Sequence, residues 1–85
     1  MTVYIAWSSV DLPTDEPGPW REVRPAAPGL GFVDSDDTLS RVFHELKWSL
    51  PDDSSLVVAP LAATPKLKHL RPGTQTWLRA RLPSA

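Results

Sequence analysis

The chain has no cysteine, so neither a disulfide scaffold nor a cysteine-ligated zinc module can be built from it. It also has no apolar run approaching the ~20 residues that a membrane helix needs. The opening Met1-Thr2-Val3-Tyr4-Ile5-Ala6-Trp7 carries no basic residue and is broken by Ser8 and Ser9, unlike a secretory signal. A cytoplasmic protein with no membrane partner is therefore expected. Glycine is scarce, at four residues, and Gly29-Leu30-Gly31 leads into a strand-like run, which excludes a phosphate-cradling loop before a helix. Histidine is limited to His44 and His69, and no nucleophile elbow surrounds any serine. A triad of Ser8, His44 and Asp11 exists on paper only. No cofactor is implied.

What the chain does contain is an ordinary 41% of hydrophobic residues, ten prolines and four tryptophans in 85 residues. That length makes one domain, and a domain of this size buries only ~60–65% of its unfolded surface. Each tryptophan adds roughly 150–250 Å² of buriable area. The aromatic load either compensates for the small core or serves a partner.

The residue pattern predicts an α+β domain over 1–85, with a sheet of three to four strands, ferredoxin-like or reduced ferredoxin-like. Val3–Trp7 is β-branched and aromatic without strict alternation, which fits a central strand. Residues 12–28 read as a proline-rich crossover, with at most one helical turn at 20–23 after Pro19. A second short strand is expected over 29–33. Leu39, Val42, Phe43, Leu46 and Leu50 then recur on one helical face, predicting a helix over about 37–49 that Pro51-Asp52-Asp53 stops. Asp34-Ser35-Asp36-Asp37 echoes the start of a calcium loop but lacks its glycine and terminal glutamate, and suits helix capping instead. Leu56–Ala59 reads as a buried strand. Lys66 and Lys68 around Leu67 would suit an edge strand. After Pro72-Gly73, residues 74–82 read as a terminal helix. With both helices on one face, the other sheet face would be left open, a reason to expect dimerisation in so small a domain.

The net charge of −1 conceals a division. Residues 1–55 hold all ten acids against four bases, a balance of −6, whereas residues 56–85 hold Lys66, Lys68, Arg71, Arg79 and Arg81 with no acid, a balance of +5. Either the two halves neutralise each other within the fold, or the asymmetry steers a partner. Lys66, Lys68, Arg71, Arg79 and Arg81, with Trp77 among them, also combine the cations and aromatic face of a nucleic-acid or anion surface. Trp48 falls nearly opposite the apolar stripe of its helix, beside Arg41 and near His44. It is either covered by the proline-rich crossover or, with Arg41, His44 and Glu45, forms a partner-binding patch of hot-spot composition.

Val3–Trp7, a later helix, Leu56-Val57-Val58-Ala59 and a closing Trp77-Leu78-Arg79 together resemble small ferredoxin-like proteins related to the CRISPR-adaptation endoribonuclease superfamily. The resemblance implies a dimer-forming fold. Trp7 and Ser8 stand where that superfamily carries its metal-binding aspartate, Asp11 comes late, and the first crossover is proline-rich, so no nuclease activity is carried over. The functional expectation is a non-catalytic interaction or assembly module that binds another protein or its own copy. Anion or nucleic-acid binding through the basic third is the alternative, and a small enzyme using His44 with nearby carboxylates is a further one.

Overall fold

The computed structural model describes residues 1–84 and contains four strands and two helices. Strand β1 (Thr2–Ser8) is central, as its unbroken apolar character predicts, and pairs antiparallel with both β3 (Leu30–Ser35) and β4 (Leu56–Leu61). Strand β2 (Glu22–Ala27) pairs antiparallel with β3, giving the order β2-β3-β1-β4. Helix α1 (Leu39–Ser49) links β3 to β4, two parallel strands with β1 between them. The order and directions are those of a ferredoxin-like sheet in reduced form: the first crossover, residues 9–21, contains no helix.

The proline-rich segment differs from the sequence expectation. Residues 22–27 form β2 rather than a helical turn, so the crossover ends at Arg21, not at Pro28. Pro25 is tolerated because β2 is at the sheet edge and its register shifts between Pro25 and Ala27, a bulge that accommodates a missing N–H. The crossover is tied down at its end: the Ser35 hydroxyl donates to the Pro19 carbonyl and the Arg21 N–H to the Asp34 carbonyl at 2.8 Å. Leu12 and Trp20 cover the part of the sheet that α1 leaves free.

Helix α1 begins two residues later than expected because Thr38, not the aspartates, is the N-cap; its Oγ1 accepts the Arg41 N–H at 3.2 Å. No acid lies in the first turn. Asp34 and Ser35 are instead the last residues of β3, and both are buried. The helix ends at Ser49 with Leu50 extended, as a residue before proline prefers. Val42, Leu46 and Leu50 are buried as their spacing predicts, Phe43 is half-buried, and Leu39, in the first turn, is exposed, contrary to the expected stripe.

Both faces of the sheet are covered, which corrects the expectation of an open one. Tyr4, Ala6, Val23 and Val33 pack with Val42 and Leu46 of α1 on the first face. Val3, Ala26 and Phe32 pack on the second against Trp77 and Leu78 of α2 (Thr74–Arg79), together with Leu67, Leu70 and Leu82. The segment after β4 contains no strand, so Lys66 and Lys68 lie on an irregular stretch. Helix α2 is shorter than the 74–82 expected, ending at Arg79.

The hairpin between β2 and β3 turns on Gly29, whose φ is +73° and whose Cβ position would strike the Ser8 carbonyl oxygen. An alanine there meets both left-handed strain and backbone that has no room to yield. Gly29→Ala is expected to lower stability by roughly 2 kcal/mol or more, read from the midpoint of urea unfolding at unchanged slope.

Candidate interaction surface

Strand β4 is the second sheet edge; Pro60 guards its far end, but no charged side chain does. No charged residue lies between Asp53 and Lys66, although charges are a common protection for an edge. The Ser9 N–H donates to the Ser55 carbonyl at 3.1 Å, and the antiparallel register continues from that pair through Trp7↔Val57, Ile5↔Ala59 and Val3↔Leu61. Odd-numbered residues of β4 therefore face β1 with their backbone groups. By the alternation of an antiparallel ladder, the N–H and C=O of Leu56 and Val58 point outward, together with the carbonyl of Pro60. Pro60 sits where its missing N–H removes only an outward donor. The sequence expectation of a fully buried strand is thus corrected: a purely apolar composition here belongs to an edge whose side chains are half-covered.

Exposed apolar side chains flank this edge on both faces. On the first, Phe43, Trp48 and Leu56 line a cavity of about 350 Å³ together with the polar Lys47, Asp52 and Ser54. Trp48 is 70% exposed at its rim, so the crossover does not cover it. The His44 ring stacks on Trp48, with centroids 5.9 Å apart and planes 28° from parallel. Arg41 approaches Glu45 at 3.9 Å one turn along, an exposed pair of about 0.3–0.5 kcal/mol. The structure thus brings the four predicted residues together as two pairs on the outer flank of α1: His44 with Trp48, and Arg41 with Glu45.

On the second face, Trp7 is 46% and Val57 is 58% exposed, and the two are register partners. The central strand expected over Val3–Trp7 would be covered on both faces, Trp7 included. The alternation of Trp7 with Val3 and Ile5 is correct, but the segment that covers Val3 and Phe32 does not reach the Trp7 end. No sequence signal marks this, because the segment after Leu61 is about as apolar as the rest of the chain.

The basic third divides differently from its composition. Lys66, Lys68, Arg71 and Arg79 are exposed, but Arg81 is turned inward. Its Nε lies 3.0 Å from Asp34, its Nη2 3.6 Å from Glu22, and its guanidinium stacks 4.0 Å from the Trp77 ring centre. Trp77 is itself buried, its indole N–H donating to Glu22 at 3.0 Å. The aromatic platform that a nucleic-acid surface requires is thereby committed to the core, as is one of its five cations.

The residues of the paper triad are likewise committed elsewhere or left apart. Ser8 is buried, with its Oγ accepting the Val10 N–H at 3.1 Å, and His44 is exposed on α1. Among the described residues no group of three histidine or acidic side chains is arranged to hold a metal ion, and no helix is long and apolar enough to cross a membrane. The chain matches no protein-family model, and neither a curated protein nor a solved structure is significantly similar to it.

Proposed function

We propose that this protein is a non-catalytic interaction module that binds a protein partner by extending its sheet along β4. The observation that carries this reading is an uncharged edge strand with outward hydrogen-bonding groups at Leu56 and Val58, flanked on both faces by exposed apolar side chains. An added strand would gain main-chain hydrogen bonds from β4, and its alternating side chains would meet the Trp48 cavity on one face and Trp7 with Val57 on the other. Trp48 is the anchor of this surface: a large aromatic beside a cavity, standing off the core, matches the composition of interface hot spots.

The test places a photo-crosslinking residue at position 57 of the full chain in cells. Protein adducts are expected there, and none from the same residue at position 79 on α2, which is fastened to the opposite edge strand, β2. Trp48→Ala is expected to reduce adduct formation at position 57 by about tenfold or more, the effect of losing roughly 1.4 kcal/mol or more of binding. Stability should change by no more than about 0.5 kcal/mol, because the side chain is largely solvated. Adducts that are equally abundant at positions 57 and 79, or indifferent to Trp48→Ala, would remove the proposal.

A further inference from the structure

We infer that the occupant of the β4 edge is a second copy of this chain, paired antiparallel to the first about a two-fold axis through Val57. The inference rests on the reading of β4 as the binding edge and adds the identity and register of what lies on it.

The edge is self-complementary in its backbone groups. Its outward donors on β4 are at Leu56 and Val58, each accompanied by its own outward carbonyl, and Pro60 contributes no donor. Centring the pair on Val57 sets Leu56 opposite the partner subunit's Val58, and Val58 opposite the partner subunit's Leu56. Each of these pairs can exchange two hydrogen bonds, so every outward donor finds an acceptor. Ser54, which falls opposite Pro60, already donates its N–H to the Pro51 carbonyl at 3.0 Å and demands nothing from a partner. Centring on Val58 would form as many hydrogen bonds, using the Pro60 carbonyls, but would set the exposed Val57 against Ala59 and give up the close Val57 pair.

The charge division of the chain points to the same arrangement. Strand β4 lies where the sign reverses: Asp52 and Asp53 precede it, and Lys66 and Lys68 are the next charges after it. All four are exposed, and none is in an ion pair among the described residues. Antiparallel pairing brings the acidic entrance of one strand toward the basic exit of the other, twice over by symmetry. Parallel pairing would bring like charges together.

The flanking side chains fit as well. Val57 meets the partner subunit's Val57 as a non-hydrogen-bonded pair, the closer of the two antiparallel types, beside the exposed Trp7. On the other face, α1 runs antiparallel to β4, with Trp48 near Leu56, and Tyr4, the register partner of Pro60, bonded to Asp37 ahead of the helix. The two-fold axis therefore directs the Trp48 end of one helix toward the exposed Leu39 end of the other. The apolar side chains left uncovered along this edge are those that such a contact would bury.

The register makes one position its own test. Val57→Arg and Val57→Asp each place like charges opposite one another, while the exposure of Val57 leaves the fold undisturbed. By sedimentation velocity at low salt, the natural chain is expected to be a dimer, each variant a monomer with an unchanged circular dichroism spectrum, and an equimolar mixture of the two variants a dimer again. The mixed dimer should weaken as salt is raised. A natural chain that is monomeric at every concentration would overturn the inference, as would a dimer that survives in each variant or a mixture that stays monomeric. If the natural chain is monomeric while position 57 still crosslinks to a different protein, the edge reading stands and the second-copy inference alone falls. If position 57 yields no adducts and no dimer forms, both fall.

Discussion

Truncating Phe32 to alanine is expected to cost about 3–5 kcal/mol, the range for a fully buried aromatic whose surroundings relax only in part. Phe32 has no solvent exposure and occupies the centre of the second sheet face, where Val3, Ala26, Trp77 and Leu78 close around it. For a chain of 85 residues, total stability is roughly 4–13 kcal/mol, so the variant loses a large share of it. Urea unfolding followed by circular dichroism reads the effect, with half-buried Phe43→Ala as a milder comparison. A loss below about 1 kcal/mol for Phe32→Ala would mean that residues 62–84 do not close over this face. The face would then be open, as the sequence pattern suggested, and the case for association through β4 rather than through the sheet face would weaken.

The second large effect is expected at Arg81. Its guanidinium holds the Asp34 carboxylate at 3.0 Å, reaches Glu22, donates to the Trp77 carbonyl at 3.0 Å and stacks on the Trp77 ring. The Asp34 side chain is only 5% exposed, so Arg81→Ala would leave a carboxylate buried without its main partner. Breaking a buried pair in this way costs roughly 3–5 kcal/mol. Here Arg21, half-exposed and 3.9 Å from the other Asp34 oxygen, moderates the loss, and about 2–3 kcal/mol is expected. For a domain of this size that lowers the melting temperature by roughly 10–20 °C. Arg81→Lys should fall between the two, because an ammonium keeps the charge but cannot reproduce the planar fork over Trp77. A shift of only a degree or two for Arg81→Ala would mean that this pair behaves like an exposed one and that the C-terminal segment is held by apolar contacts alone.

These two predictions concern the same event from different sides. Phe32 measures what the C-terminal segment covers, and Arg81 measures what fastens it. They also bear on the charge division: of the five C-terminal bases, Arg81 is the one neutralised by acids of the N-terminal half, and Lys66, Lys68, Arg71 and Arg79 remain exposed. Internal neutralisation and an outward electrostatic asymmetry therefore coexist.

Much of the architecture is local enough to be legible in the residues. The stripe of Val42, Leu46 and Leu50 defines the buried side of α1, because helical periodicity alone sets which side chains share a face. Pro51 ends that helix, and the apolar Val3–Trp7 run marks the central strand, since both signals act within a few residues. The elements misread are those in which a local rule met a distant constraint. Pro25 argues against a strand until a sheet edge and a bulge remove the need for its N–H. Asp34 looks like part of a capping run until Arg81, 47 positions away, takes it into the interior.

The candidate site follows the same division. Trp48 stands off its helix's apolar stripe, which the order of residues shows, but only the fold shows that the crossover leaves it uncovered. Trp7 and Val57 are indistinguishable in sequence from core residues, and their exposure depends on how far the segment after β4 extends across the second face. Residue order by itself determined the α+β class, the main helix with its inner face, and the reversal of charge after Asp53. Tertiary structure alone decided that β4 is an edge, that both faces are closed, and that Arg81 rather than its neighbours turns inward. Periodicity and capping act between near neighbours, whereas edges, covered faces and buried ion pairs exist only once segments far apart in the chain have met.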